Sequence, residues 1–148
     1  MNTNVDLNHL AESIGDAVVV ADANEKIVLW NAGATRIFGY SETEAMANTL
    51  DFIVPDRQRQ RHNHGFSKSM ETGTTRYGES ILRVPARHKD GSTLSIAFTV
   101  GMLFDQNHKA NGVVAIIRDE TQRFAEERAL KKRLAELENP PNTEKTSL

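Results

Sequence analysis

The chain has 148 residues, 39% hydrophobic and 26% charged, which suits one soluble domain with its own core. A formal charge of −2 favours neither nucleic acid nor an anionic membrane as a partner. There is no cysteine, which excludes disulfides, thiolate ligands, thiol nucleophiles and a cysteinyl-flavin photoadduct. The start, MNTNVDLNHLAESIG, lacks the basic and apolar regions of a signal peptide, and GVVAII is far too short to span a membrane. A cytoplasmic location is the expectation.

Leu7, Leu10 and Ile14 recur at helical spacing, so residues 1–15 are read as an N-terminal segment carrying a short amphipathic helix. AVVVAD and IVLW predict a hairpin across the turn DANEK. Asn31 is placed to cap the helix AGATRIFGY, which Gly39 ends. Ser41 and Glu44 have capping-box spacing at the start of ETEAMANT. LDFIVP reads as an apolar connector, and Pro55 opens a helix that runs to about Thr72 and closes at Gly73.

Three strands follow, in ESILRVPARH, TLSIAFTVGMLF and GVVAIIRDE. The expected class is α+β, a five-stranded antiparallel sheet with helices gathered on one face, over residues 16–122. Phe124, Leu130, Leu134 and Leu137 form a stripe on a C-terminal helix over 123–138. NPPNTEKTSL predicts a disordered tail over 139–148.

This order, carried by DAVVVADANEKIVLWNAGATRIFGYSETEAMANTL, the turn RHKDGST and the closing GVVAIIRDET, resembles a PAS domain over roughly residues 8–122. The resemblance implies a PAS fold whose sheet passes through Asp119 and Thr121 into an outgoing signalling helix. Domains of this kind hold haem, flavin, small acids or nothing, so function has to come from the site.

The stretch PDRQRQRHNHGF carries two histidines. On a helical wheel His62 shares a face with Phe66 and, roughly, Ser69 and Met70. His64 lies about 200° round from it, among Arg57, Arg61 and Lys68. A neutral imidazole on an apolar inner face is a competent axial ligand for haem iron. The usual state of a lone histidine is instead a part-buried ring bonded to a backbone carbonyl. His9, His88 and His108 fall in loops or near ends, where solvation is expected.

Resemblance to the oxygen-sensing haem PAS domains of the FixL and direct-oxygen-sensor type implies that His62 is the metal ligand of a haem b. Those families place their proximal histidine on this helix, after a start rich in proline and arginine. In TLSIAFTV, alternation sets Ile96, Phe98 and Val100 on one side and Ser95, Ala97 and Thr99 on the other. The first set matches the families' apolar distal positions and serves core packing as well. Their distal arginine is replaced by Leu82, with Arg83 beside it. A bulge between Ser80 and Pro85 would turn Arg83 inward; without one the pocket is apolar and favours CO or NO over O2. Lys68 and Arg76 are the candidate partners of the haem propionates.

Three functional classes follow. The first is a haem-binding gas sensor without an output domain of its own, signalling through its C-terminal helix to a separate partner protein. The second is a module holding FAD, FMN or another small ligand, and the third a ligand-free dimerisation domain. A homodimer built from the terminal helices is expected, with no role for nucleic acid or membrane. No Ser/His/Asp set, phosphate loop or metal cluster appears in the sequence, so an enzyme is not expected.

Overall fold

A computed structural model describes residues 4–75 and 78–139. The elements are α1 (Leu7–Ser13), β1 (Ala17–Asp22), β2 (Ile27–Trp30), α2 (Ala32–Phe38), α3 (Glu42–Ala45), a 3₁₀ turn (Leu50–Ile53), α4 (Asp56–Thr72), β3 (Leu82–Arg87), β4 (Thr93–Phe104), β5 (Ala110–Asp119) and α5 (Thr121–Glu138). The five strands form one antiparallel sheet in the order β2-β1-β5-β4-β3. Its α+β architecture is the one expected, and the tail over 140–148 lies outside the described residues.

Asn31 explains how the N-terminal half is locked. It is 1% exposed. Its Oδ1 accepts from Val18 N at 2.8 Å and from Ala34 N at 2.9 Å, joining β1 to the first turn of α2. Its Nδ2 donates to the carbonyls of Ala11 at 2.7 Å and Asp16 at 3.1 Å, which ties down the end of α1. One buried amide thus holds three elements, and every polar atom it buries is paired. Gly33 permits the close approach, since a Cβ there would stand 2.2 Å from the Asp16 carbonyl oxygen.

One face of the sheet carries the core. Ala17, Val19, Ile27 and Trp30 from β1 and β2 meet Ala34 and Phe38 of α2, Ala45 and Ile53. The Trp30 ring lies 5.6 Å from both Phe38 and Phe52, and its Nε1 donates to the Tyr40 carbonyl at 3.0 Å. Burial of so large a ring is possible because its one polar atom is satisfied.

Three expectations need correction. The helix expected over ETEAMANT stops at Ala45. Ala47 has φ 67° and its N–H donates to Ile27 O, while Ile27 N donates to Asn48 O. Pairing with β2 therefore outcompetes another helical turn. LDFI is a 3₁₀ turn capped by Thr49 rather than a bare connector. The third strand begins only at Leu82.

At the other end of the sheet, Thr121 roots α5. Its Oγ1 donates to Asp119 Oδ1 at 2.6 Å and accepts from Ser95 N at 2.9 Å, while Glu120 N donates to Ser95 O at 2.8 Å. Beyond that root the helix stands away from the sheet. Phe124, Leu130, Leu134 and Leu137 are each about half exposed or more, as are Leu7 and Leu10 of α1.

Candidate functional site

α4 runs 17 residues from Asp56 to Thr72, and Gly73 ends it in the left-handed conformation with φ 75°. No residue of this helix is fully buried. Its half-buried positions include His62, Asn63, Phe66, Ser69 and Met70, whereas His64 and Lys68 are exposed. The inward face expected from the helical period is therefore the less exposed one. Arg59 secures the start of the helix, with Nε donating to the carbonyls of Asp51 at 3.0 Å and Val54 at 3.1 Å.

The sheet opposite is described by its register. Leu82 pairs with Phe98, Val84 with Ile96 and Ala86 with Leu94, with no shift along β3 and β4. Directly paired residues share a face, so Leu82 and Val84 lie on the core side with Ile96, Phe98 and Val100. Arg83 falls on the other side, where its Nε is 3.9 Å from Glu120 Oε2. The bulge that would have turned Arg83 inward is absent, and Leu82 holds the inner position. This part of the core face is incompletely covered. Val84 is 40% exposed, and Leu82, Phe98 and Val100 are partly exposed. Arg76 lies outside the described residues.

His62 has neighbours the sequence did not disclose. Its Nδ1 stands 3.2 Å from Glu25 Oε1, across from the β1–β2 turn. That nitrogen is buried, and the contact is an ion-pair approach rather than a well-directed hydrogen bond. With the amide of Asn63 turned to donate, its nitrogen lies 3.0 Å from Asp51 Oδ1 and 3.2 Å from each oxygen of Glu25. Ligating atoms of Glu25, Asp51 and His62 all lie within 4.8 Å of one another, the one such trio among the described residues. Burial pulls the His62 pKa down, but the Glu25 carboxylate, with Asn63 and Asp51 adding, lifts the net value above that of an ordinary histidine.

The partner of His62 is thus a carboxylate and not the backbone carbonyl that a part-buried histidine usually finds. Glu25 carried one visible signal. It occupies the last position of a hairpin turn, where its φ of 67° is normally left to glycine or asparagine. His88, expected in solvent, is partly buried: its Nδ1 accepts from Asp90 N at 3.0 Å. His9 and His108 are exposed.

The family model described as "PAS fold" matches residues 6–119. The chain belongs to the PAS family. Among relatives of this PAS domain, an uncharacterized protein of Azorhizobium caulinodans is 31% identical over 79% of the chain and 16% of its own length. The sensor protein FixL of Bradyrhizobium diazoefficiens is 28% identical over 64% of the chain and 19% of its own. The oxygen sensor protein DosP of Escherichia coli is 24% identical over 73% of the chain and 13% of its own. The PAS domain thus spans less than a fifth of each of these relatives.

Among solved structures, a PAS domain from Colwellia psychrerythraea superposes with a TM-score of 0.67 at 23% identity, covering 77% of this chain and 93% of the other. An RNA-binding light-oxygen-voltage receptor superposes at 0.68 with 15% identity, covering 87% and 36%. Likeness at these identities is likeness of fold. Among the described residues, no helix is long and apolar enough to cross a membrane.

Haem makes two demands of such a site, an imidazole nitrogen left free and an apolar wall beside it. The residues present meet each demand separately, His62 beside the β1–β2 turn and the apolar surface over β3 and β4. His62 turns Nδ1 to Glu25, which leaves Nε2 as the nitrogen for a metal. Leu82, Val84, Phe98 and Val100 offer apolar surface that the core does not use up.

Proposed function

We propose that this PAS domain is a haem-b sensor of a diatomic gas, with His62 as the protein ligand of the metal. The observation that carries the reading is the placement of His62, half-buried on the inner face of α4 with its Nδ1 turned to Glu25 at 3.2 Å. The names of FixL and DosP, a sensor protein and an oxygen sensor protein, support it. When bound, the haem supplies an iron that takes O2, CO or NO. Phe66, Met70, Leu82, Ile96, Phe98 and Val100 exclude water and offer the gas no hydrogen bond, which favours CO and NO. Lys68 and Arg76 are assigned to the propionates, and no catalysis is assigned to the chain.

The test is an absorption spectrum of purified protein. A single strong Soret band near 400 nm is expected in the wild type and its loss in His62→Ala, with far-UV circular dichroism retained. A wild type showing the paired bands of flavin instead would replace this reading with FAD or FMN. With no cysteine in the chain, such a flavin would be bound without a photoadduct.

The same reading takes α5 as the element that reaches a second copy and a separate signalling partner. Its apolar side chains are exposed: Phe124 is 49%, Leu130 66%, Leu134 56% and Leu137 72% accessible. A chain ended after Thr121 is expected to sediment as a monomer and the full chain as a dimer. Equal dimer affinities in the two would remove α5 from the interface.

A further inference from the structure

Glu25 is costly where it stands. Its φ of 67° is a conformation that a side chain disfavours, and its N–H donates to Asp22 O at 2.9 Å to close the turn. Nothing in the hairpin itself requires a carboxylate at that position. The carboxylate instead leaves its own turn, is mostly buried at 14% exposure, and stops 3.2 Å from Nδ1 of His62 on α4. Asn63, adjacent to His62, then links Glu25 to Asp51, so two acids and an amide enclose one edge of the imidazole.

We infer that Glu25 is the positioning residue for His62, holding its Nδ1–H and so keeping Nε2 as the free, electron-rich nitrogen. The inference rests on the haem reading for its use and on geometry alone for its existence. A histidine has two nitrogens, and the one that keeps the proton is set by the hydrogen bond it makes. A carboxylate oxygen 3.2 Å from Nδ1 favours that tautomer through its charge, even though the approach is not a well-directed hydrogen bond. An anionic acceptor also draws the Nδ1 proton toward itself and makes Nε2 a stronger donor to a metal. A backbone carbonyl would give the first effect with little of the second. Glu25 therefore sets how strongly the site donates as well as where the ring points.

The two effects are separable by substitution in the full chain. Glu25→Ala removes the acceptor, while Glu25→Gln keeps an acceptor oxygen and removes the charge. In haem-free protein at alkaline pH, long-range ¹H–¹⁵N correlation of the imidazoles is expected to show His62 with its proton on Nδ1 in wild type and Glu25→Gln. In Glu25→Ala the proton should move largely to Nε2, the form free imidazole prefers. A wild-type His62 carrying its proton on Nε2, or one indifferent to Glu25→Ala, overturns the inference without reference to haem.

In haem-loaded ferrous protein, Glu25→Gln should keep its Soret band while the Fe–His stretching frequency drops. An unchanged frequency with haem bound overturns the electronic half. Failure of the haem reading shows separately, as wild-type protein that takes up no haem while the tautomer still follows Glu25.

Discussion

The two ends of the inner sheet face are built on opposite terms. Over β2 and β1, Trp30, Ile27, Ala17, Ala34 and Phe38 are at most 1% exposed, and the buried polar residue beside them, Asn31, is fully paired. Over β4 and β3, the same face buries Ala86, Leu94 and Ile96 but leaves Val84 40% exposed and Phe98 partly so. One end is almost fully buried; the other keeps some apolar surface in reserve. Stability is concentrated where β2 and α2 meet, which frees the β3 end to be shaped by something other than its own packing. Incompletely covered apolar surface is costly to keep, and a ligand bound there as proposed would relieve that cost.

Paired truncations give the sharpest way to break the contrast. Trp30→Ala should cost about 3–5 kcal/mol, the range for a large buried aromatic, and in a domain of this size should leave little folded protein. Val84→Ala should cost less than about 1 kcal/mol, because its methyl groups are already partly in water. Urea denaturation followed by tryptophan-independent circular dichroism compares the two. Equal losses would mean that the β3 end is core after all.

The next comparison asks whether the open end is apolar toward a gas. If haem is held there, Leu82→Arg puts a donor on the inner face and should raise O2 affinity about tenfold to a hundredfold, since a charge-assisted hydrogen bond contributes roughly 1.5–3 kcal/mol. CO affinity should change little. Arg83→Ala, altering a side chain on the opposite face beside Glu120, should leave both gases within about twofold. Gas titrations of the three proteins read this directly. A stable oxy complex lost in Arg83→Ala would reverse the assignment.

The smallest effect belongs to the surface. Lys89 and Glu44, joined at 2.7 Å, tie the β3–β4 hairpin to α3, and the lysine holds the Glu44 pKa below its usual value. A depressed carboxylate stabilises the fold above its unfolded pKa and loses that contribution as pH falls through the folded one. Glu44→Gln should therefore leave the melting temperature unchanged at strongly acid pH and lower it slightly near neutrality. The pair is solvent-exposed, so added salt should shrink the difference.

What the sequence made legible divides along similar lines. β1, β2, α2 and α4 announce themselves locally, through alternation, the cap at Asn31 and the glycines at 39 and 73. The shortened α3 does not, because its end is decided by hydrogen bonds to β2, which no local propensity contains. At the site, the face of α4 was readable from the period, whereas Leu82 or Arg83 inward stayed open until the unshifted pairing of β3 with β4 placed Leu82 there. Glu25 and Asp51 were not readable, since they meet His62 only through the fold. Their one trace was a glutamate where a turn prefers glycine.

The root of α5 has a mechanical consequence. Ser95 grips both Glu120 and Thr121, and its next neighbour along β4, Ile96, lies on the core face. The helix beyond is 18 residues long, about 27 Å at 1.5 Å per residue, and touches little else on the way. Geometrically it is an oar in a rowlock. A tilt of about 5° at the rowlock of Ser95 and Thr121 sweeps the far end through about 2 Å, a displacement comparable to the helix shifts that separate states at subunit interfaces.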